Sequence, residues 1–391
     1  MTHPPAHVLG GYEAGLAVVR SLGRAGIPVT LVVSSGKEQA RYSRHAGTVV
    51  TAPEPAEERA AYAELLAGLP PGVLIPTTDE GIEAVATHRT ELATRHLVAC
   101  PPVEIARVFL DKLLTSDVAA RAGVEAPRTA VPATSDELEQ LAPELAYPCL
   151  VKPRESYRYN RAFGIKMHRV EDAAQLREAW KRAHDLGIGT LVQELIPGPE
   201  TGGVNYNVHM VGGEPVAEFT SRKIRLAPRD FGYPSAIVSA AVPEVVGPGR
   251  RIVRAMGIEG FANVEFKRDV RDGRYKLMEV NGRPNMSGEL AVRCGLDFPL
   301  MTYRHLVTGV APEPGRWTAG VHWINDAADP KALVSRWRGR EVSLRAGIAP
   351  YRAPHVFATL AWHDPGPFVR STVDKVRRRV SRLTTGRIVR T

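Results

Sequence analysis

Glu265 and Glu279 are spaced so that a β-hairpin could bring two carboxylates together. The segment runs Phe261-Ala262-Asn263-Val264-Glu265-Phe266-Lys267, then Arg271-Asp272-Gly273, then Tyr275-Lys276-Leu277-Met278-Glu279-Val280-Asn281. Along the first strand Asn263, Glu265 and Lys267 share one face, and Ala262, Val264 and Phe266 the other. A three-residue Arg271-Asp272-Gly273 loop, with Gly273 left-handed, would set Glu265 opposite Glu279 and Asn263 opposite Asn281. A two-residue loop would put the glutamates on opposite faces. The expected register is the first, or a bulge that restores it. Carboxylates directly opposite repel, so something positive should sit between them. Asn281 adds a third oxygen, and an all-oxygen set without His or Cys suits a hard cation, Mg²⁺ or Mn²⁺. The plain alternative is a solvated charged face. Arg283, just past the strand end, could meet a phosphate or carboxylate in a fork.

Two lysines and a hinge stand upstream. Lys152 ends the apolar run Cys149-Leu150-Val151, and Lys112 opens a helix. Either alone reads as a surface lysine; together with the hairpin they could grip a triphosphate from two sides. Gln193-Glu194-Leu195-Ile196-Pro197-Gly198 is a strand leaving into a turn, which frees backbone groups for an adenine edge. Glu200, seven residues after Gln193, could accept from ribose hydroxyls.

These groups need a frame. In the first hundred residues, strands alternate with helices: Val8-Leu9-Gly10, a helix over 14–25, a strand over 27–33, and Gly72–Pro76 before Thr77-Thr78-Asp79. That pattern implies a parallel sheet with ligands beyond its strand ends, where Gly10, Gly11, Thr77 and Asp79 fall. Gly10-Gly11-x-x-x-Gly15 is either a tight turn or an anion site at a helix N-terminus. The next section is α+β, with a polar loop over 154–163, a strand over 164–167, and antiparallel hairpins over 204–225 and 258–280. Three scattered cysteines, Cys100, Cys149 and Cys294, suit neither a disulfide framework nor a zinc site and point to a reducing cytosol. No stretch is long and apolar enough for a membrane span, and the start of the chain does not read as a secretory signal.

The order Lys112, Lys152, Gln193 to Glu200, Glu265, Glu279, Asn281, Arg283 resembles the ATP-grasp superfamily. Within it the chain looks most like the carboxylate–amine ligase and D-aspartate ligase-like branch, over roughly residues 5 to 310. The resemblance implies a Rossmann-like pre-ATP-grasp domain over 1–105 and an ATP-grasp domain over 106–310. In the latter two α+β subdomains grip ATP, the lid spanning about 145–195; a C-terminal extension over 311–391 follows. It implies that Lys112 and Lys152 contact ATP phosphates. Gln193, Glu194, Leu195 and Ile196 would hold adenine, and Glu200 the ribose. Glu265, Glu279 and Asn281 would bind Mg²⁺ or Mn²⁺. Lys223 and Arg225 would face the γ-phosphate and a developing acyl phosphate, and Arg283 the acyl phosphate or the acceptor. The family's phosphate-covering loop is rich in glycine and serine; here 154–163 carries three arginines and two tyrosines instead, and is the candidate lid. The activity implied is ATP-dependent joining of a small-molecule carboxylate to an amine, in a cytoplasmic protein that is ordinarily a homodimer. A carboxylase or kinase is the second reading, and a non-catalytic nucleotide-binding protein the third.

Charge is concentrated at one end. The net charge is +9, of which residues 370–391 supply +7 through eight Lys or Arg and one Asp, leaving +2 elsewhere. That distribution argues against a nucleic-acid-binding fold. Val369, Val373, Val376, Val380 and Leu383 recur at helical spacing among the basic residues, so the tail is expected to form an amphipathic helix. It would dock on its own protein, fray, or lie on an anionic membrane surface or an acidic partner, with nucleic acid the least expected.

Overall fold

The computed structural model describes residues 3–154, 156–229 and 231–384, with side chains after Arg377 outside the description. Three sheets carry the chain. The first is parallel, in the spatial order Thr48–Thr51, Val29–Val33, Ala6–Leu9, Val73–Pro76, Leu97–Val98. Its inner strands are short, buried, mainly apolar runs, as sheets covered on both faces require, while the edge strand Thr48–Thr51 is mostly exposed. The order reverses between Ala6–Leu9 and Val73–Pro76, and a crevice opens at such a switch point. The helix Glu13–Arg24 can start beside that crevice only because residue 15 is glycine: a Cβ there would lie 1.9 Å from the Gly10 carbonyl oxygen.

The second sheet is a small antiparallel one, in the order Thr129–Ala130, Thr190–Glu194, Cys149–Pro153, His168–Val170. Residues 156–163 are not the expected loop but a helix, Ser156–Phe163. This segment lacks glycine and proline, and Tyr159 and Phe163 pack one turn apart with ring centroids 4.6 Å apart and planes tilted by 55°. The strand expected over 164–167 forms later, at His168–Val170.

The third sheet has seven strands, ordered Tyr275–Asn281, Gly260–Arg268, Gly203–Val211, Glu214–Ala227, Tyr233–Ser239, His322–Ile324, His355–Phe357. The last pair is parallel and the others antiparallel. Val204, Tyr206, Val208, Ala262, Val264 and Phe266 pack one face into the main core. Alternation then sends Asn205, Asn207, His209, Asn263 and Glu265 to the other. The segment beyond residue 311, without a motif in the sequence, supplies two strands of this sheet.

The chain then returns to the first sheet. Arg20, 1% exposed, donates to Asp364 Oδ2 at 2.9 Å and to the Thr359 carbonyl at 2.7 Å. Ser43 Oγ and the Arg44 amide donate to the same carboxylate. The helix Gly366–Thr384 follows, held by a Tyr42 hydroxyl donating to Asp374 at 2.7 Å. Val369, Val373 and Val376 are exposed along it; the side chains of Val380 and Leu383 lie outside the described residues.

Candidate nucleotide and metal site

The hairpin adopts the expected face. Glu265 pairs with Glu279 and Asn263 with Asn281, while Lys267 pairs with Lys276. The register shifts between Glu265 and Phe266, so Met278 is the extra residue of a bulge. Gly273 is left-handed, φ +74°. Lys223 Nζ lies 2.5 Å from Glu265 Oε2 and supplies positive charge beside one of the two carboxylates. Burial would raise Glu265, but Lys223, then Lys166 and Arg283, hold it below the usual carboxylate range. Two glutamates and Asn281 therefore lie on one sheet face at paired positions, a set of oxygen donors that fits Mg²⁺ or Mn²⁺. Among the described residues no cluster of three His, Cys, Asp or Glu offers another metal site.

Lys152, 7% exposed, ends the strand Cys149–Pro153 and donates to Gln193 Oε1 at 2.9 Å. Gln193 Nε2 in turn reaches Thr129 Oγ1 at 3.0 Å. Burial pushes Lys152 down to about 8; the field of Lys112 pushes the same way, and Glu279 and Glu265 only partly offset both. A buried cation so placed fits a polyphosphate. Lys112 is the first residue of the helix Lys112–Arg121, which Asp111 caps by accepting the Leu113 amide at 2.9 Å. Asp111 also pairs with Arg154.

The hinge is pinned from the large sheet. Lys267 Nζ donates to the Ile196 carbonyl at 2.7 Å, and Arg271 to Glu194 at 2.5 Å. Leu195 lies half-buried between them. Glu200 accepts the Leu226 amide at 3.3 Å and pairs with Arg336, while its Oε1 is buried with no partner. A buried carboxylate oxygen lacking a donor fits a ligand hydroxyl.

Arg283 reaches across to the first sheet. Its fork grips Asp79, Nε to Oδ1 at 2.6 Å and Nη2 to Oδ2 at 3.0 Å. Asp79 opens the helix Asp79–Thr87, whose cap Thr78 accepts the Gly81 amide. The switch-point crevice and the hairpin thus meet at this pair. Burial would weaken the Arg283 charge, but Asp79 raises its pKa further.

One expectation needs correction. Arg225 does not face the phosphate side. It is 4% exposed and forked onto Asp329 at 2.8 and 2.7 Å, in a knot that Ser235 and Tyr351 complete. The strand Glu214–Ala227 changes register on both sides of Arg225, and this re-aims its side chain away from that of Lys223. At Gly10-Gly11, where the sequence left a tight turn and an anion site open, the observation favours the turn: Gly11 N donates to Glu38 at 2.5 Å, and Ser34 and Ser35 amides donate to the same carboxylate.

Sequence reasoning missed Lys166. Its Nζ sits 3.1 Å above the Tyr233 ring centroid, joining the small sheet to the large one. Burial pushes it down to about 8, against the pull of Glu265 and Glu279. A lone lysine read as the middle of a strand carried no signal of this. Arg336 was missed too, because it comes from the segment without a motif.

No family model matches the chain. A D-alanine–D-alanine ligase of Pseudomonas putida (strain GB-1) is 30% identical over 217 residues, covering 52% of this chain and 65% of that enzyme. The chain thus spans just under two thirds of that relative's length. Among solved structures, a carboxyaminoimidazole ribonucleotide synthase from Aspergillus clavatus complexed with ATP is similar at TM-score 0.65 and 18% identity, over 88% of this chain and 87% of that one. An L-amino acid ligase from Bacillus licheniformis is similar at TM-score 0.59 and 17% identity, over 79% and 75%. Three sheets meeting at a carboxylate hairpin, a hinge and two lysines make an ATP-grasp fold, the one these solved structures share.

Proposed function

We propose that the protein is an ATP- and Mg²⁺-dependent carboxylate–amine ligase, akin to the D-aspartate ligase-like branch, acting through an acyl phosphate. The observation that carries the reading is the meeting of Glu265, Glu279 and Asn281 with Lys152, Lys223 and the Arg283–Asp79 pair in one cleft. A carboxylate oxygen attacks the γ-phosphorus, and the bond to the bridging oxygen of ADP breaks. The amine then attacks the acyl carbon, loses a proton, and phosphate leaves. Bound Mg²⁺ would neutralise charge on the β- and γ-phosphate oxygens. Lys152 and Lys112 would hold the phosphates, Lys223 and Lys166 the transferred group, the Ile196 hinge the adenine and Glu200 the ribose. No nucleophilic side chain is needed.

ADP release with Mg²⁺, ATP and a pooled set of amino acids and dipeptides tests the reading. Release should require both a carboxylate and an amine and should vanish in Glu279→Gln, with the circular dichroism spectrum unchanged. Near-normal release in that variant would sink the metal assignment. Release driven by bicarbonate alone would favour the carboxylase reading.

The tail supports a second reading, of peripheral attachment. Val369, Val373 and Val376 are exposed on a basic helix, and this fits an anionic surface. Among the described residues no helix is long and apolar enough to cross a membrane. Sedimentation with phosphatidylglycerol liposomes should drop when residues 368–391 are removed; equal sedimentation disposes of the idea.

A further inference from the structure

A cavity of about 300 Å³ lies between the first sheet's layer and the large sheet, behind Arg283. That volume is at the small end of ligand pockets. Its walls are largely apolar, with Val18 and Ile75 on one side and Phe261 and Phe298 on the other. Its polar groups are few: Asn207, His209, Asn285, Thr302 and His305, with Arg283 at the catalytic end.

The floor continues the face that bears the metal set. On the strand Gly203–Val211, Asn205 is opposite Glu265, Asn207 opposite Asn263, and His209 opposite Phe261. Asn207 Oδ1 accepts from both Asn263 and Asn285 at 2.9 Å, so polar contacts run unbroken from the hairpin to the cavity. Asn207 and His209, which both line the cavity, stand two residue steps apart on the strand, about 7 Å. That span suits an amino acid with a long side chain, or a dipeptide.

At the far end two polar atoms are unmatched. His209 is 1% exposed, its Nδ1 lies 3.4 Å from Thr302 Oγ1, and its buried Nε2 has no partner. His305 Nδ1 is likewise buried without a partner, with the two rings 5.8 Å apart. Burial, reinforced by His305, pushes His209 down to about 4, so its imidazole is neutral near neutral pH. The other charged lining residues, Arg89 and Glu259, are engaged: Arg89 Nε donates to the Cys100 carbonyl, and Glu259 accepts the Gly212 and Gly213 amides. A charge delivered to the His209 end would be desolvated without a counter-ion.

Resting on the ligase reading, we propose that this cavity receives the distal end of one substrate, an elongated and mainly apolar molecule that ends in a neutral hydroxyl or amide bonded by His209 and His305. Its reacting end lies at Arg283 and the hairpin. His209 is then a specificity-determining residue that touches substrate far from the reacting atoms.

Calorimetric binding to the MgADP-loaded protein tests this without turnover. The probes are norleucine, 6-hydroxynorleucine and lysine, in both configurations: one chain length with an apolar, a neutral polar and a cationic end. The hydroxyl compound should bind about tenfold or more tighter than norleucine, because only it pairs the buried imidazole, and lysine should bind weakest. His209→Leu should erase or invert the first preference. Ala291→Phe, which fills the cavity, should remove binding of all three while MgADP still binds. No binding of any probe, or an order untouched by His209→Leu, would mean a hydrated cavity only and overturn the proposal. Binding in the expected order without ADP release would count against the ligase reading and leave the cavity assignment standing.

Discussion

Lys152 sits where burial and a neighbouring lysine both oppose its charge, and its pKa falls to about 8. Nucleotide phosphates would favour the charged form, so binding and protonation are linked. Nucleotide affinity should be level below about pH 8 and fall above it, by up to tenfold per pH unit. In the free protein the sign for stability is opposite: the unfolded chain holds this proton to a higher pH, so the Lys152 contribution to stability rises with pH above about 8. Fluorescent-nucleotide titrations from pH 7 to 9.5 check the first statement, and Lys152→Arg should flatten the profile because a guanidinium stays charged. A profile that is the same for both proteins would remove Lys152 from the phosphate site. The type and place of this lysine were legible in the sequence. Its depressed pKa was not, because burial belongs to the fold.

Bulges decide which side chains face the site. In the strand Tyr275–Asn281 the extra residue at Met278 lets Glu279 stand opposite Glu265 although the turn is longer than three residues. Deleting Met278 should leave a regular hairpin with the same glutamate pair, and Mn²⁺ affinity should change little. Deleting Val280 should turn Asn281 to the core face and weaken Mn²⁺ binding at least tenfold. Electron paramagnetic titration of Mn²⁺ with the two deletions separates these outcomes. The alternation of Asn263, Glu265, Glu279 and Asn281 made this hairpin readable beforehand. The same reasoning failed for Arg225, two residues from Lys223, because nothing in its sequence marks the register changes flanking it. Its partner Asp329 lies 104 residues away. Asp329→Ala leaves a buried guanidinium uncompensated and should destabilise the protein by roughly 3–5 kcal/mol in urea unfolding. A loss under about 1 kcal/mol would show that water relieves the charge. The helix Ser156–Phe163 was missed for a related reason: its stability comes from aromatic contacts that a reading tuned to polar loops discounts.

At the scale of the molecule, the alternating first section and the α+β second section were visible as patterns of apolar runs. The return of the C-terminal segment was not. Short strands at His322–Ile324 and His355–Phe357 carry little periodicity, and their pairing is long-range. The knot of Arg20, Ser43, Arg44 and Asp364 ties this segment to the first sheet. Asp364→Ala should therefore loosen both ends of the tie, raising hydrogen exchange in Gln39–Tyr42 and Gly366–Thr384 together. Exchange confined to the helix would show that the first sheet holds without it.

The same knot sets a timetable for biosynthesis. Arg20 and Asp364 are 344 residues apart. At about 5–20 residues per second a ribosome takes roughly 17–70 s between them. For that interval the guanidinium destined for a dry interior must stay hydrated, and the first sheet emerges with one flank unfinished. A chain arrested before residue 355 should be cleaved by protease near Gln39–Tyr42, and release of the full chain should close that site.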